Sequence, residues 1–197
     1  MRILLTGAGG FTGLHFARYA RAQGHEILPL TLDLCDLEGL QRTLSSLPRV
    51  PMHVVHLAGI SFVGHGSPQA FYDVNLFGTL NLIQCVMEIG LPVQRVLLAS
   101  SATVYGNSPH SPLSEGSELC PVQHYGMSKL AMEYMARVLG AHLDLVFTRP
   151  FNYTGPGQSD SFLIPKLVSH FRRKASFIEL GNLEVEREFN DVRSVCE

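Results

Sequence analysis

Short apolar runs alternate along the chain with longer stretches in which apolar residues recur at helical spacing. Residues 2–5 are a compact run of branched side chains, the mark of a buried strand. A glycine-rich turn follows at 7–13, and then Leu14, Ala17, Tyr19 and Ala20 mark a helix that stops at Gly24. The same reading predicts strands over 26–30, 52–58, 95–100 and 143–148. It predicts helices over 37–47, 71–89 and 125–140, the second closed by Gly90-Leu91-Pro92. Strand–helix alternation of this kind predicts an α/β fold with a doubly wound parallel sheet, the Rossmann arrangement. After Arg149-Pro150 the pattern changes. Residues 152–160 read as a loop, and 162–174 as a helix with Pro165 in its first turn. Residues 178–180 read as a short strand, and 191–197 as a helix entry capped by Asn190 or Asp191. The expected organisation is one domain over 1–150 and a small C-terminal lobe, truncated and only partly present, over 151–197.

Composition narrows the function classes. The 15 basic and 17 acidic residues leave a net charge of −2, which argues against a nucleic-acid binder working through a basic surface. Apolar residues make up 46% of the chain, enough to build a core and exclude disorder. No apolar stretch reaches the roughly 18 residues of a membrane span, and the apolar part of the N-terminus is too short for a signal peptide. Cys35, Cys85, Cys120 and Cys196 show no metal or disulfide spacing and read as thiols in a reducing cytoplasm. His53 and His56, three apart on a strand, point to opposite faces, so no metal is expected there.

The turn after the first strand carries Gly7, Gly10 and Gly13, with Phe11 and Thr12 at the helix start. Glycines permit a tight turn and let backbone N–H groups approach a pyrophosphate, while the helix N-terminus adds partial positive charge. The acidic residue that usually holds the adenosine ribose falls at Thr31. With no carboxylate there to repel a 2′-phosphate, NADPH is permitted and the cofactor reads as NADP or NAD. Asp33 and Leu34 follow at once, with Asp33 a candidate for the adenine amino group; Asp36 reads as a helix cap.

Tyr125 and Lys129 stand four apart on one helix face. An ammonium beside a phenol favours the phenolate and is expected to lower the phenol's pKa into a usable range. The strand ending at Ser100-Ser101 delivers a hydroxyl to the same sheet edge.

TGAGGFTG at 6–13, HLAG at 56–59, DVNLFGTLNL at 73–82, SSATVYG at 100–106, YGMSK at 125–129, RPFNYTGPGQ at 149–158 and REFNDV at 187–192 together span the chain. In these motifs the chain resembles the extended short-chain dehydrogenase/reductases, the NAD-dependent epimerase/dehydratase family, that act on nucleotide sugars. The resemblance implies Ser101, Tyr125 and Lys129 as catalytic residues. Ser101 would hold the sugar O4, Tyr125 would give the proton, and Lys129 would bind the nicotinamide ribose. It implies cofactor contacts at Gly7, Gly10, Phe11, Thr12, Gly13, Asp33, Leu34, Leu57, Ala58, Gly59, Tyr125 and Lys129. Substrate contacts are implied at Ser61, Ser101, Asn152 and Arg187, the last as a diphosphate clamp. Asn75 reads as a satisfied polar residue.

Three chemistries compete within this family. Dehydratases carry acidic residues just after the Ser/Thr; Ala102 and Thr103 stand there and cannot supply a carboxyl group. SSATVYG looks like the UDP-galactose 4-epimerases, which usually carry Lys where Ser61 stands. The distal segments FNYTGPGQS and GNLEVEREFNDVR are most similar to the GDP-4-keto-6-deoxy-mannose reductases. The resulting expectation is reduction of an NDP-4-keto-6-deoxyhexose, GDP-linked, with a 4-epimerase as the alternative. A non-catalytic NADP-sensing domain is disfavoured by the intact Tyr125 and Lys129. The resemblance also implies a homodimer through the helices at 71–89 and 125–140, where Leu76, Leu80, Ile83 and Met87 form an apolar stripe. The partners expected are a nucleotide sugar and a second copy of the chain.

Overall fold

The computed structural model describes residues 1–62, 64, 66–181 and 183–197. Five strands form one parallel sheet in the order β2-β1-β3-β4-β5: β1 (Arg2–Thr6), β2 (Glu26–Leu30), β3 (Met52–His56), β4 (Val93–Ala99) and β5 (Leu145–Thr148). Register is continuous at the carboxyl ends, where Thr6 pairs with His56 and Ala99 with Thr148. Alternation along β1 sends Ile3 and Leu5 to one face, against Ala17 and Ala20 of α1 (Phe11–Ala22). Leu4 goes to the other face. There it meets Leu40 and Leu44 of α2 (Leu37–Ser45), Leu82 and Ile83 of α4 (Thr79–Ile89), and Met132 and Ala136 of α5 (His124–Leu139). A sheet covered on both faces explains why its strands read as continuous apolar runs. Truncating Leu4 to Ala would cost about 2–5 kcal/mol, because its site is closed on all sides. The doubly wound parallel sheet expected from the sequence is therefore present.

The chain reverses its strand order between β1 and β3. In an open α/β sheet the crevice at the carboxyl ends beside that reversal is where ligands bind. The ends of β1, β3 and β4 bring Gly7, Leu57 to Gly59 and Ser100-Ser101 to this one edge.

Four details depart from expectation. The helix expected over 71–89 is three pieces: α3 (Pro68–Phe71), a π-helical stretch (Tyr72–Gly78) and α4. The wide turn accompanies Asn75, which is fully buried and lends its carbonyl to the Thr79 hydroxyl. The loop expected over 152–160 contains β6 (Asn152–Thr154), which pairs in parallel with β7 (Phe189–Asp191). Partners so far apart in sequence leave no local pattern to read. No strand forms at 178–180; Leu180 stays exposed, and the Glu179 carbonyl accepts from Lys166 Nζ instead. Of the expected stripe of Leu76, Leu80, Ile83 and Met87, Ile83 is buried in the core, and Leu76 and Met87 pack partly buried against it. Two further elements fall where expected. α6 (Leu163–Arg172) carries Pro165 in its first turn, and the Asp191 carboxylate caps α7 (Val192–Val195).

Candidate active site

Gly7 has φ +67° and lies against the end of β3, where a Cβ would stand 2.6 Å from the Ala58 nitrogen. A Cβ on Gly13 would fall 2.0 Å from the Gly7 carbonyl oxygen. The loop therefore folds tightly on itself, and Gly10 N–H closes it by donating to the Gly7 carbonyl at 2.9 Å. Gly10 caps α1 without a side chain, and the first turn of α1 holds no acidic residue. By contrast, Asp36 caps α2 by accepting from Gly39 N–H at 3.0 Å. The bare N-terminus of α1 suits an anion, so the loop fits the pyrophosphate of a dinucleotide. Thr31 is exposed beyond β2. Asp33 Oδ1 accepts from Cys35 N–H at 2.9 Å. Leu34 is buried in the core, so any ligand contact there falls to its backbone.

A directed chain of hydrogen bonds holds the turn after β3. Ala58 N–H donates to Thr6 Oγ1, which lies 2.6 Å from His56 Nδ1. His56 Nε2 lies 2.8 Å from Thr79 Oγ1, and that hydroxyl donates to the Asn75 carbonyl. Because the Thr79 proton is committed, His56 must donate from Nε2 and accept at Nδ1. Burial pushes His56 down to about 3, with Lys129 adding to the shift, so the ring is neutral. Asn75 is satisfied, as expected: its Oδ1 accepts from Ile60 N–H, and its Nδ2 donates to the Ile60 carbonyl and to Ser128 Oγ. Gly59 leaves no room for a Cβ, which would meet Asn75 Oδ1 at 2.8 Å and Lys129 Nζ at 3.3 Å. Ser61 is exposed just beyond.

Ser101 caps the 3₁₀ turn Ala102–Tyr105; its Oγ accepts from Thr103 N–H at 3.2 Å and Thr103 Oγ1 at 2.9 Å. The Ser101 hydroxyl is near enough to the Tyr125 phenol to lower its pKa. Gly126 lets the first turn of α5 press on this 3₁₀ turn, where a Cβ would lie 2.8 Å from the Thr103 carbonyl oxygen. Burial pushes Tyr125 up to about 12, against the nearby Ser101 hydroxyl, which lowers it. Burial pushes Lys129 down to about 8. Lys129 Nζ donates to the Ala99 carbonyl at 2.8 Å. The expected lowering of the phenol's pKa by Lys129 is thus reversed in this structure: desolvation outweighs any help from the ammonium. A cleft of about 470 Å³ opens beside Tyr125, lined by Phe71, Gln123 and His124 among others.

The family described as NAD dependent epimerase/dehydratase matches residues 3–197. The chain belongs to this family. It is 36% identical over its whole length to GDP-6-deoxy-D-talose 4-dehydrogenase of Aggregatibacter actinomycetemcomitans, covering 68% of that protein. Over 98% of its length it is 35% identical to GDP-6-deoxy-D-mannose reductase of Pseudomonas aeruginosa, covering 67% of it. The solved structure of RMD from Pseudomonas aeruginosa complexed with NADPH superposes with a TM-score of 0.87 at 32% identity, over 99% of this chain and 70% of that one. These relatives are nucleotide-sugar oxidoreductases, and the Rossmann architecture is common to the family.

Within this epimerase/dehydratase scaffold the structure brings Ser101, Tyr125, Lys129 and Gly59 together. Asn152 and Arg187 lie apart from that cluster in sequence, on and beside the β6–β7 pair. Asn152 Nδ2 donates to the Glu188 carbonyl and Arg187 Nη1 to the Glu186 carbonyl. Two features escaped sequence reasoning. Glu133, fully buried on α5, accepts from Ser100 Oγ and from Arg149 Nε and Nη2. Arg149 in turn donates to the Tyr105 hydroxyl at 3.0 Å. The available signal was a carboxylate one turn beyond Lys129, on the face that also carries Met132 and Ala136. The second is Tyr153, whose hydroxyl shares a 2.9 Å hydrogen bond with Thr12 Oγ1. No helix among the described residues is long and apolar enough to cross a membrane, and no metal-binding cluster occurs among them.

Proposed function

We propose that this chain is the cofactor-binding and catalytic part of a nucleotide-sugar 4-ketoreductase. It reduces an NDP-4-keto-6-deoxyhexose, GDP-linked, at C4, with NADPH or NADH. The observation that carries this reading is the 35% identity, over 98% of the chain, to GDP-6-deoxy-D-mannose reductase, beside a buried Tyr125 able to serve as proton donor. Burial pushes that phenol up to about 12, toward the protonated form that protonation of O4 requires. A 4-epimerase would use such a phenol in both directions and show no net loss of reduced cofactor. Beside Tyr125, the 3₁₀ turn offers Ala102 and Thr103, so no carboxylate there is available for elimination.

In this reading a bound nicotinamide cofactor supplies the hydride to C4. Ser101 holds both O4 and the phenol, and Tyr125 releases its proton along that contact. Lys129, buried within the same cluster, stabilises the phenolate that remains; being neutral above pH about 8, it also sets the alkaline limit. Gly7, Gly10 and Gly13 with the first turn of α1 hold the pyrophosphate. Gly59 and Ala58 flank the nicotinamide end, while Asn152 and Arg187 meet the substrate's diphosphate. The GDP-sugars for which the two relatives are named support GDP as the carrier. The absence of a carboxylate at Thr31 and the NADPH bound to RMD support NADPH.

The protein acts as a homodimer in this reading. Met127, Tyr134, Met135 and Val138 expose an apolar line on α5, and Phe77 is exposed on the neighbouring π-helical stretch.

Activity decides the matter. The full protein should consume reduced nicotinamide with GDP-4-keto-6-deoxymannose and do so less well with UDP- and dTDP-linked 4-keto sugars. Interconversion of UDP-glucose and UDP-galactose without added cofactor, and no oxidation with any keto sugar, would make it an epimerase. Cofactor binding without turnover of any sugar would make it a sensor.

A further inference from the structure

Ser101 is bracketed by two residues that the roles above leave unexplained. Ser100 precedes it after β4, and Tyr105 closes the 3₁₀ turn that Ser101 caps. Both are buried, and both commit their hydroxyls to one ion pair. Ser100 Oγ donates to Glu133 Oε1 at 2.5 Å, and the Tyr105 hydroxyl accepts from Arg149 Nη1 at 3.0 Å. Arg149 grips the fully buried Glu133 through Nε and Nη2 at 2.9 and 2.6 Å. Its guanidinium also lies 5.2 Å from the Tyr105 ring centroid. The segment from Ser100 to Tyr105 is thus fastened at both ends to the same pair.

That pair belongs to two other elements. Glu133 follows Tyr125 and Lys129 at intervals of four, on one face of α5. Arg149 follows β5, whose end is tied to the same segment. Ser100 N–H donates to the Thr148 carbonyl at 2.8 Å, and Ala102 N–H to the Pro150 carbonyl at 3.0 Å. On the α5 side, the contact of Gly126 with the Thr103 carbonyl sets the closest approach of helix and turn. Packing therefore stops the turn from moving toward α5, and the bonds to Glu133 and Arg149 stop it from moving away. A two-pronged guanidinium–carboxylate pair fixes direction as well as distance. Proton transfer needs donor and acceptor within hydrogen-bond reach, and a shift of about 1 Å can cost on the order of 100-fold in rate.

We propose that Ser100 and Tyr105 are positioning residues for the reaction. Acting through the Glu133–Arg149 pair, they hold Ser101 where one substrate oxygen can meet both it and Tyr125. The inference rests on the roles given above to Ser101 and Tyr125 and deepens them. It gives the ion pair a consequence for turnover beyond its share in stability.

The test uses Tyr105→Phe and Ser100→Ala in the full protein, each of which removes one hydroxyl. Tyr105→Phe keeps the ring beside the guanidinium. Arg137→Ala is the control, because Arg137 also approaches the Glu133 carboxylate, at 3.6 Å, but from its own helix. Initial rates with GDP-4-keto-6-deoxymannose are measured below the thermal midpoint of every variant. NADPH is titrated separately, which also reports that each variant is folded. The proposal requires kcat to fall at least about fivefold in both hydroxyl variants, with the KM of the sugar and the affinity for NADPH within about twofold. Arg137→Ala should keep the kcat of the unaltered protein. A smaller loss of kcat in either hydroxyl variant would overturn the proposal, because the network would then only stabilise the fold. So would an equal loss in Arg137→Ala. If the unaltered protein interconverted UDP-sugars instead of reducing a keto sugar, the ketoreductase reading alone would fail, and the same variants would be scored on that reaction. If it turned over no nucleotide sugar, both would fail.

Discussion

Tyr125 and Lys129 differ from Glu133 and Arg149 in the direction in which their surroundings push them, although Lys129 and Glu133 are neighbours one turn apart on α5. Burial drives Tyr125 up to about 12 and Lys129 down to about 8, each toward its neutral form. Glu133 is also desolvated, yet Arg149 and Ser100 hold its carboxyl below the usual carboxylate range. Arg149 is held in its charged form by Glu133, through bonds at 2.9 and 2.6 Å. The difference is partnership. Lys129 has a neutral carbonyl and Tyr125 a nearby hydroxyl, partners too weak to offset the burial of their charged forms. Glu133 has a bidentate guanidinium. One pair is left ready to move a proton, and the other is locked to hold the ends of β4 and β5 in place.

The largest effect expected from breaking this contrast is on the proton-moving side. Tyr125→Phe should lower kcat by about 10²–10⁴-fold while leaving cofactor affinity nearly intact, as read by steady-state rates and cofactor titration. Near-normal turnover would remove Tyr125 from the chemistry.

Much of this frame was legible in the sequence, and the reasons are local. The five strands were readable because each is an apolar run bounded by turn residues, and Asp36 was readable as a cap from its place before Leu37. The three-spaced glycines and the Tyr125–Lys129 spacing placed the candidate residues on the right elements. What escaped depends on contacts distant in sequence. The Glu133–Arg149 pair joins residues 16 apart, and neither residue is unusual alone. The β6–β7 pairing and the reach of Tyr153 to Thr12 are of the same kind. The sign of the Tyr125 shift escaped because charge proximity is visible in a spacing, whereas the depth of burial is not.

On the locked side, Glu133→Ala should cost about 3–5 kcal/mol of stability, because it leaves the Arg149 charge without its partner. Chemical denaturation at neutral pH measures this. The wild-type contribution from Glu133 is present above the unfolded carboxylate pKa and disappears as pH falls through the depressed folded value. A cost below ~1 kcal/mol would mean that the pair is solvated and the contrast false.

Lys129 offers a pH test with the opposite sense. The folded state loses this proton near pH 8 and the unfolded state near 10.5. Between the two the unfolded chain binds more protons, so stability of the cofactor-free protein should rise with pH. The full gain is ~3 kcal/mol, although Tyr125 begins to oppose it above about 10. Lys129→Met should abolish the rise between pH ~8 and ~10 while also lowering turnover. An unchanged slope would show that Lys129 keeps its charge when folded.

The smallest effect should come from Arg137. Its guanidinium is half-exposed, 3.6 Å from Glu133 Oε2 and 4.4 Å from the Phe147 ring centroid. Arg137→Ala should cost under about 1 kcal/mol, because Arg149 already satisfies the carboxylate. A loss as large as that of Glu133→Ala would shift the locked pair from Arg149 to Arg137.

The proposed reaction is a net reduction with Tyr125 as the proton donor. It is tested most directly by stoichiometry. The full protein is given a limiting amount of GDP-4-keto-6-deoxymannose with excess NADPH, and absorbance of the reduced nicotinamide is followed to completion. One NADPH should disappear for each 4-hydroxy-6-deoxy sugar nucleotide formed, and Tyr125→Phe should slow this without changing the ratio. Product formed with no net loss of NADPH would contradict it.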